Sequence, residues 1–89
     1  MARCEMSTLQ AAERAAAGGA ADALFELGLM YCAGREGEPD LVSAHKWFNL
    51  AAMRGNSEAR RYRMEIASEM SEHEIADAQR QAREWLAWH

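Results

Sequence analysis

β-Branched residues are nearly absent from this chain of 89 residues, which contains one Val, two Ile and one Thr. Strands are enriched in such residues, so their scarcity argues against a sheet. Alanine is instead the commonest residue, with 19 copies, and Leu, Met, Glu, Gln and Arg supply much of the rest. Because these residue types favour helices, the sequence predicts an all-α fold.

Long apolar runs and paired cysteines are also missing. No window approaches the ~18 apolar residues of a membrane-spanning helix, and we expect no signal peptide. The two cysteines, Cys4 and Cys32, lie in unlike contexts, which predicts free thiols and no disulfide. The net charge of −4 disfavours nucleic acids and anionic membranes as partners. These features predict a soluble cytoplasmic protein.

The length of the chain allows one small domain, spanning residues 1–89. A chain of this size buries only about 60% of the surface that its unfolded form exposes. Apolar residues make up 49% of the sequence, but the many alanines among them bury little area each. We therefore expect a thin core that gains stability from a partner.

Glycines, one proline and capping residues divide the chain into five predicted helices. Within most of these segments, apolar residues recur at three- and four-residue spacing, which places them on one face of each helix. The predicted boundaries are about Thr8–Ala17, Ala21–Ala33, Leu41–Arg54, Ser57–Met70 and 72–87.

Polar residues at the starts of these segments predict helix N-caps. Ser7, Asp40 and Asn56 each precede a predicted helix, and their side chains can accept a hydrogen bond from a backbone N–H in the first turn. Ser71 and Glu74 have the spacing of a capping box, in which hydroxyl and carboxylate each satisfy one backbone N–H. The fifth helix is expected to start there.

Small residues repeat along the chain at a fixed spacing. Ala15, Ala16, Gly19 and Ala23 recur 36 residues later as Ala51, Ala52, Gly55 and Ala59. A period of this size, built from two antiparallel helices, is typical of a helical solenoid. Paired alanines on the inner face let neighbouring helices approach closely, and Gly28 inside a helix predicts a tight helix crossing.

One set of positions carries a resemblance to a known family. The set comprises Ala23, Leu27, Gly28, Tyr31, Gly34, Asp40, Ala44, Trp47, Ala51, Ala52, Gly55 and Ala59. With these residues the chain resembles the Sel1-like repeats, relatives of the tetratricopeptide repeats. The resemblance covers one full repeat over 20–55, preceded by a degenerate half-repeat over 1–19 and followed by a helical hairpin or cap over 56–89.

Two departures from the family pattern are visible. The loop between the repeat helices usually reads Gly, any residue, Gly, Val, but here the second glycine, Gly37, is displaced by one position and the Val is absent. The first segment has Ala11 and Ala12 where Trp47 and Phe48 stand 36 residues later, so it is expected to cap the array.

The resemblance implies an adaptor or scaffold that binds other proteins, with no catalytic residues to carry over. The whole chain also resembles the short Sel1-repeat proteins of alphaproteobacteria, chiefly through the run 40–50. A regulatory adaptor in the bacterial cytoplasm is the function we expect from it.

The residue chemistry points away from catalysis independently of the resemblance. His45, His73 and His89 lack the spacing of a zinc site, and none of the serines lies in a nucleophile elbow. No glycine-rich loop has the form that cradles a phosphate. We therefore predict a protein that is not an enzyme and has no metal and no cofactor.

Partner-binding candidates fall into three groups. On the second helix, Leu24, Glu26 and Tyr31 lie near the groove that a repeat hairpin offers. The cationic cluster of Arg54, Arg60, Arg61 and Arg63 is interpreted mainly as a solvated face, with Arg60 and Arg61 as candidates for contact with an acidic protein surface. In the tail, Trp85 and Trp88 flank the apolar stripe formed by Ile75, Ala78, Ala82 and Leu86.

The tail and the arginine cluster each leave an alternative open. The tail helix either seals the chain's own core or packs against a second copy, because fewer than two repeats leave the array short of a neighbour and a homodimer would supply it. The alternative to the adaptor is a small accessory subunit that stabilises a larger enzyme or nucleoprotein complex through its arginine-rich helix face.

Overall fold

The computed structural model describes residues 10–34 and 37–88. These residues contain five helices and no strand, which confirms the predicted all-α class. The helices are α1 (10–16), α2 (Ala21–Ala33), α3 (Leu41–Met53), α4 (Ser57–Ala67) and α5 (Glu72–Trp88). The predictions made for Cys4, Ser7, Thr8 and His89 fall outside the described residues.

The helix starts are held by the predicted caps. The Asp40 carboxylate accepts the Ser43 N–H at 3.0 Å, and the Asn56 side-chain oxygen accepts the Ala59 N–H at 2.9 Å. Ser71 and Glu74 form the capping box: the Glu74 carboxylate accepts the Ser71 N–H at 2.9 Å, and the Ser71 hydroxyl accepts the Glu74 N–H at 3.1 Å. Each bond satisfies an N–H that has no partner inside its helix.

The predicted fourth helix was too long at its end. It stops at Ala67, because the chain tightens into a turn in which the Glu69 and Met70 N–H groups bond three residues back. The Ser68 hydroxyl donates to the Glu65 carbonyl at 2.7 Å within the same turn. Met70 then lies buried, so the turn brings one more large side chain into the core.

Helix α3 is the centre of the molecule, since α2, α4 and α5 all pack against it. Its inner face contributes more buried apolar residues to the core than any other described helix, including the fully buried Phe48 and Leu50. The ring of Phe48 lies 5.7 Å from that of Phe25 on α2 and 5.5 Å from that of Tyr62 on α4. Three helices therefore meet around one aromatic cluster.

Gly28 is the point of closest approach between α2 and α3. A Cβ atom at this position would lie 2.6 Å from two carbons of the Phe48 ring. No carbon–carbon contact is tolerated at that distance, so the predicted tight crossing is confirmed and only glycine fits it.

The repeated alanines occupy similar but not identical places. One alanine of each pair is fully buried, namely Ala16 in the first pair and Ala51 in the second, whereas Ala15 is exposed and Ala52 half-buried. The prediction that both members of each pair face inward therefore fails at Ala15. The burial pattern is shifted by one residue between the two halves, because the helices around α1 and α3 are not equivalent.

Candidate protein-interaction surfaces

The three candidates on α2 have different environments. Leu24 is fully buried in the core, so it has no surface to offer and is removed from the set of partner-binding residues. Tyr31 is half-buried, and its hydroxyl donates to the Glu13 carboxylate at 3.1 Å, which ties α2 to α1. Glu26 is exposed. The apolar residues that recur along α2 therefore belong to the core and do not form a binding face.

The cationic cluster is divided among several intramolecular contacts. Arg61 lies 3.6 Å from the Glu58 carboxylate, and both side chains are exposed. Arg54 donates to the Gly19 carbonyl at 3.4 Å, with its guanidinium carbon 5.9 Å from the centre of the Trp85 ring. The arginines of the cationic cluster therefore do not form one continuous surface.

Arg60 and Arg63 line one groove at the turn between α3 and α4. This surface, the arginine groove, has a volume of about 410 Å³ and is lined by Ala52, Met53, Gly55, Asn56, Ser57, Arg60 and Arg63. Arg63 donates to the Asn49 side-chain oxygen at 2.6 Å, whereas Arg60 is exposed and makes no ion pair within the described part of the chain. Met53 is 58% exposed and forms an apolar wall.

A second groove lies between α3 and α5. This surface, the tryptophan groove, has a volume of about 470 Å³ and is lined by Lys46, Arg80, Gln81, Glu84, Trp85 and Trp88. Trp85 packs edge-on against Trp47 with ring centres 6.0 Å apart, so its position is fixed. Trp88 is 85% exposed, which is unusual for the largest apolar side chain.

Lys46 carries the positive charge of the tryptophan groove on the side of α3. Its Nζ lies 4.2 Å from the centre of the Trp47 ring, a cation–π contact. Burial lowers the pKa of Lys46, while the Glu13, Glu84 and Asp40 carboxylates act in the opposite direction. The groove therefore combines aromatic surface with charges of both signs.

The tail helix α5 closes the core of its own chain. Ala78 and Ala82 are buried against the rest of the molecule, and Ile75 and Leu86 pack around them as half-buried side chains. The apolar stripe of the tail is thus largely used within the monomer. What remains exposed is the end of α5, where Trp88 lies.

His45, whose spacing from the other histidines argued against a zinc site, is a buried group on α3. It is 3% exposed, and its Nδ1 has no hydrogen-bond partner among residues 10–34 and 37–88. Burial lowers the pKa of this imidazole, and the positive charge of Arg63 lowers it further. The signal in the sequence was its position next to Ala44 on the inner side of α3.

Cys32 is a half-buried free thiol on α2. Burial raises its pKa, and the Glu69 carboxylate raises it further. Since the thiolate is the reactive form, this environment suits a packing role.

Within residues 10–34 and 37–88, no group of three or more His, Cys, Asp or Glu side chains is arranged to hold a metal ion. No helix among those described has the length and apolar character needed to span a bilayer. No family model, curated protein or solved structure matches the chain.

Proposed function

We propose that this protein is a non-enzymatic protein–protein interaction module, a small Sel1-like adaptor whose helical hairpins form a short solenoid. The observation that carries the proposal is the tryptophan groove, in which Trp88 is 85% exposed beside the fixed Trp85. Tryptophan is the residue type most enriched at binding hot spots. An aromatic anchor left outside a well-formed core is typical of a surface that binds another protein.

The repeat assignment is supported by what its motif residues do. In the hairpin of α2 and α3, Gly28 allows the close crossing, Gly34 ends α2 in the left-handed conformation with φ 74°, and Asp40 caps α3. Ala44, Trp47 and Ala51 are buried. The repeat motif is therefore occupied by residues that the hairpin needs for its geometry.

The alternative is an accessory subunit that binds a larger enzyme or nucleoprotein complex through the arginine-rich face of α4. Arg54 bonds to the Gly19 carbonyl and Arg61 contacts the Glu58 carboxylate, so the cluster does not present all four guanidinium groups together. This division favours the adaptor. The accessory subunit would elute from native extracts entirely within one large complex, whereas an adaptor would also elute free.

Site-specific cross-linking tests the proposed function. A photo-reactive side chain at Glu84, which lines the tryptophan groove, is expected to give an adduct with a defined protein in living cells. The matched control places the same group at Glu65, an exposed glutamate on α4 outside both grooves. Adducts at Glu84 that disappear on Trp88→Ser support the proposal. The same adducts from both positions would contradict it.

A further inference from the structure

The arginine groove holds two positive charges that the fold does not use for ion pairing. Arg60 and Arg63 are separated by three positions and so lie on one face of α4, where like charges destabilise a helix. Ion pairs in the described part of the chain involve Arg61 and Arg80 instead. Folding alone therefore does not explain why two guanidinium groups lie side by side here.

Arg63 is held in position before any ligand arrives. Its Nη1 donates to the Asn49 side-chain oxygen at 2.6 Å, in a part-buried contact between α4 and α3. A guanidinium has five N–H donors in a fixed plane, so one bond to Asn49 leaves others for an acceptor from outside. Because the side chain is already ordered, less conformational entropy is lost when it binds.

Met53 adds an apolar and flexible side chain to a lining that also includes the polar Asn56 and Ser57. Met53 is 58% exposed, although it lies beside the buried end of α3. Methionine side chains adapt to different apolar groups, which suits a surface that receives a peptide. A ligand that satisfies the whole groove must therefore combine negative charge with an apolar side chain.

We propose that the arginine groove binds an acidic peptide segment of a partner protein. Asp or Glu carboxylates of the segment pair with Arg60 and Arg63, and a neighbouring apolar side chain packs on Met53. The geometry of a guanidinium matches a carboxylate, with two parallel hydrogen bonds. This inference rests on the proposed function as an interaction module and adds the chemistry of the partner.

Nucleic acid fits the groove less well than an acidic peptide. Proteins that bind single strands combine positive charge with aromatic rings on which bases stack. No aromatic side chain lines the arginine groove, and the chain as a whole has a net charge of −4, which repels a polyanion. A short carboxylate segment is attracted by the local charge and meets less of this repulsion.

Peptide binding to purified protein tests the inference. The probe is a fluorescent peptide of alternating Glu and Leu, and its twin has Gln in place of Glu. We expect the acidic peptide to bind, with Arg60→Gln weakening binding about fivefold and Arg63→Gln about tenfold. Arg61→Gln is the matched control, since Arg61 is a neighbouring exposed arginine outside the groove. Amide NMR signals of Gly55, Asn56 and Ser57 should shift during the titration.

Several outcomes would overturn the inference. These are equal binding of the Gln twin, equal weakening by Arg61→Gln, no effect of Arg60→Gln, or tighter binding of oligouridine than of the acidic peptide. Arg60 is exposed and forms no ion pair with the residues that the structure describes, so loss of folding does not confound Arg60→Gln, and a thermal melt checks this. If the acidic peptide does not bind but the Glu84 cross-link persists, this inference fails while the proposed function stands.

Discussion

At the scale of single residues, Gly28 shows how one missing side chain sets the distance between two helices. Glycine inside a helix costs about 1 kcal/mol relative to alanine. Glycine is nevertheless needed at this position, because a Cβ atom at Gly28 would collide with the fully buried ring of Phe48.

Replacing Gly28 should therefore destabilise the protein despite the better helix propensity of alanine. We expect Gly28→Ala to lower the free energy of unfolding by up to about 2 kcal/mol, the overpacking cost of about 1–3 kcal/mol less a propensity gain of about 1 kcal/mol. Urea unfolding followed by circular dichroism measures it. Gly18→Ala is the control, because its Cβ would meet only an ordinary contact at 3.8 Å. A stabilised Gly28→Ala variant would show that the helices are not in close contact.

His45 makes stability depend on pH in a defined direction. Burial and the charge of Arg63 lower its pKa in the folded state below the ordinary value of 6.5, so the unfolded chain takes up this proton first as the pH falls. The contribution of neutral His45 to the free energy of unfolding is complete above pH ~6.5. It is lost below that pH, by up to about 1.4 kcal/mol per pH unit.

Substitution of this histidine should remove that part of the pH dependence. We expect His45→Gln to flatten the free energy of unfolding between about pH 7 and 5, because no imidazole then takes up a proton at this buried position. Urea titrations at several pH values provide the comparison. An unchanged slope in His45→Gln would mean that the His45 imidazole takes up its proton equally readily in the folded and the unfolded chain.

At the scale of helices, the capping box at the start of α5 determines where the tail begins. Ser71→Ala removes the acceptor for the Glu74 N–H and should cost about 1 kcal/mol of stability. Ser57→Ala is the matched control, since Ser57 is an exposed serine whose hydroxyl forms no hydrogen bond within the described residues. Equal unfolding midpoints for the two variants in urea would show that the box contributes nothing.

Helix starts were predictable because the signals are local. Asp40, Asn56 and the Ser71–Glu74 pair each act within one turn, and each was found where the sequence placed it. The end of α4 was not predictable in the same way. It depends on Met70 reaching the core, which is a tertiary contact that no spacing within the helix encodes.

The binding surfaces were harder to predict than the helices. The spacing of apolar residues on α2 correctly predicted a buried face. Periodicity does not distinguish burial in the core from burial under a partner, however. Leu24 was therefore predicted to bind a partner, although it lies in the core. Arg60, Arg61 and Arg63 are close in sequence, yet the helical repeat of α4 places only Arg60 and Arg63 in the groove. Arg54, at the end of α3, bonds to the Gly19 carbonyl instead. Each groove is formed by two segments whose relative position only the fold determines.

At the scale of the whole molecule, α5 already covers α3, so a homodimer would form through what α5 leaves exposed. We propose that self-association uses the end of α5 around Trp88, the surface that the proposed partner also contacts, so that a second copy and the partner compete for it. Light scattering at tens of micromolar should give twice the chain mass of 10.0 kDa, and Trp88→Ser should halve that value. A one-chain mass with a cooperative melt would exclude the homodimer and leave the monomer as the binding unit.

Quantitative affinity capture from the native cell tests most directly whether the molecule binds another protein through the tryptophan groove. Wild-type protein is compared with Trp88→Ser and with Met64→Ser, which removes a 63% exposed side chain outside both grooves. We predict one or more proteins whose yield falls about tenfold or more with Trp88→Ser and is unchanged with Met64→Ser. Equal yields from all three folded proteins would contradict the account.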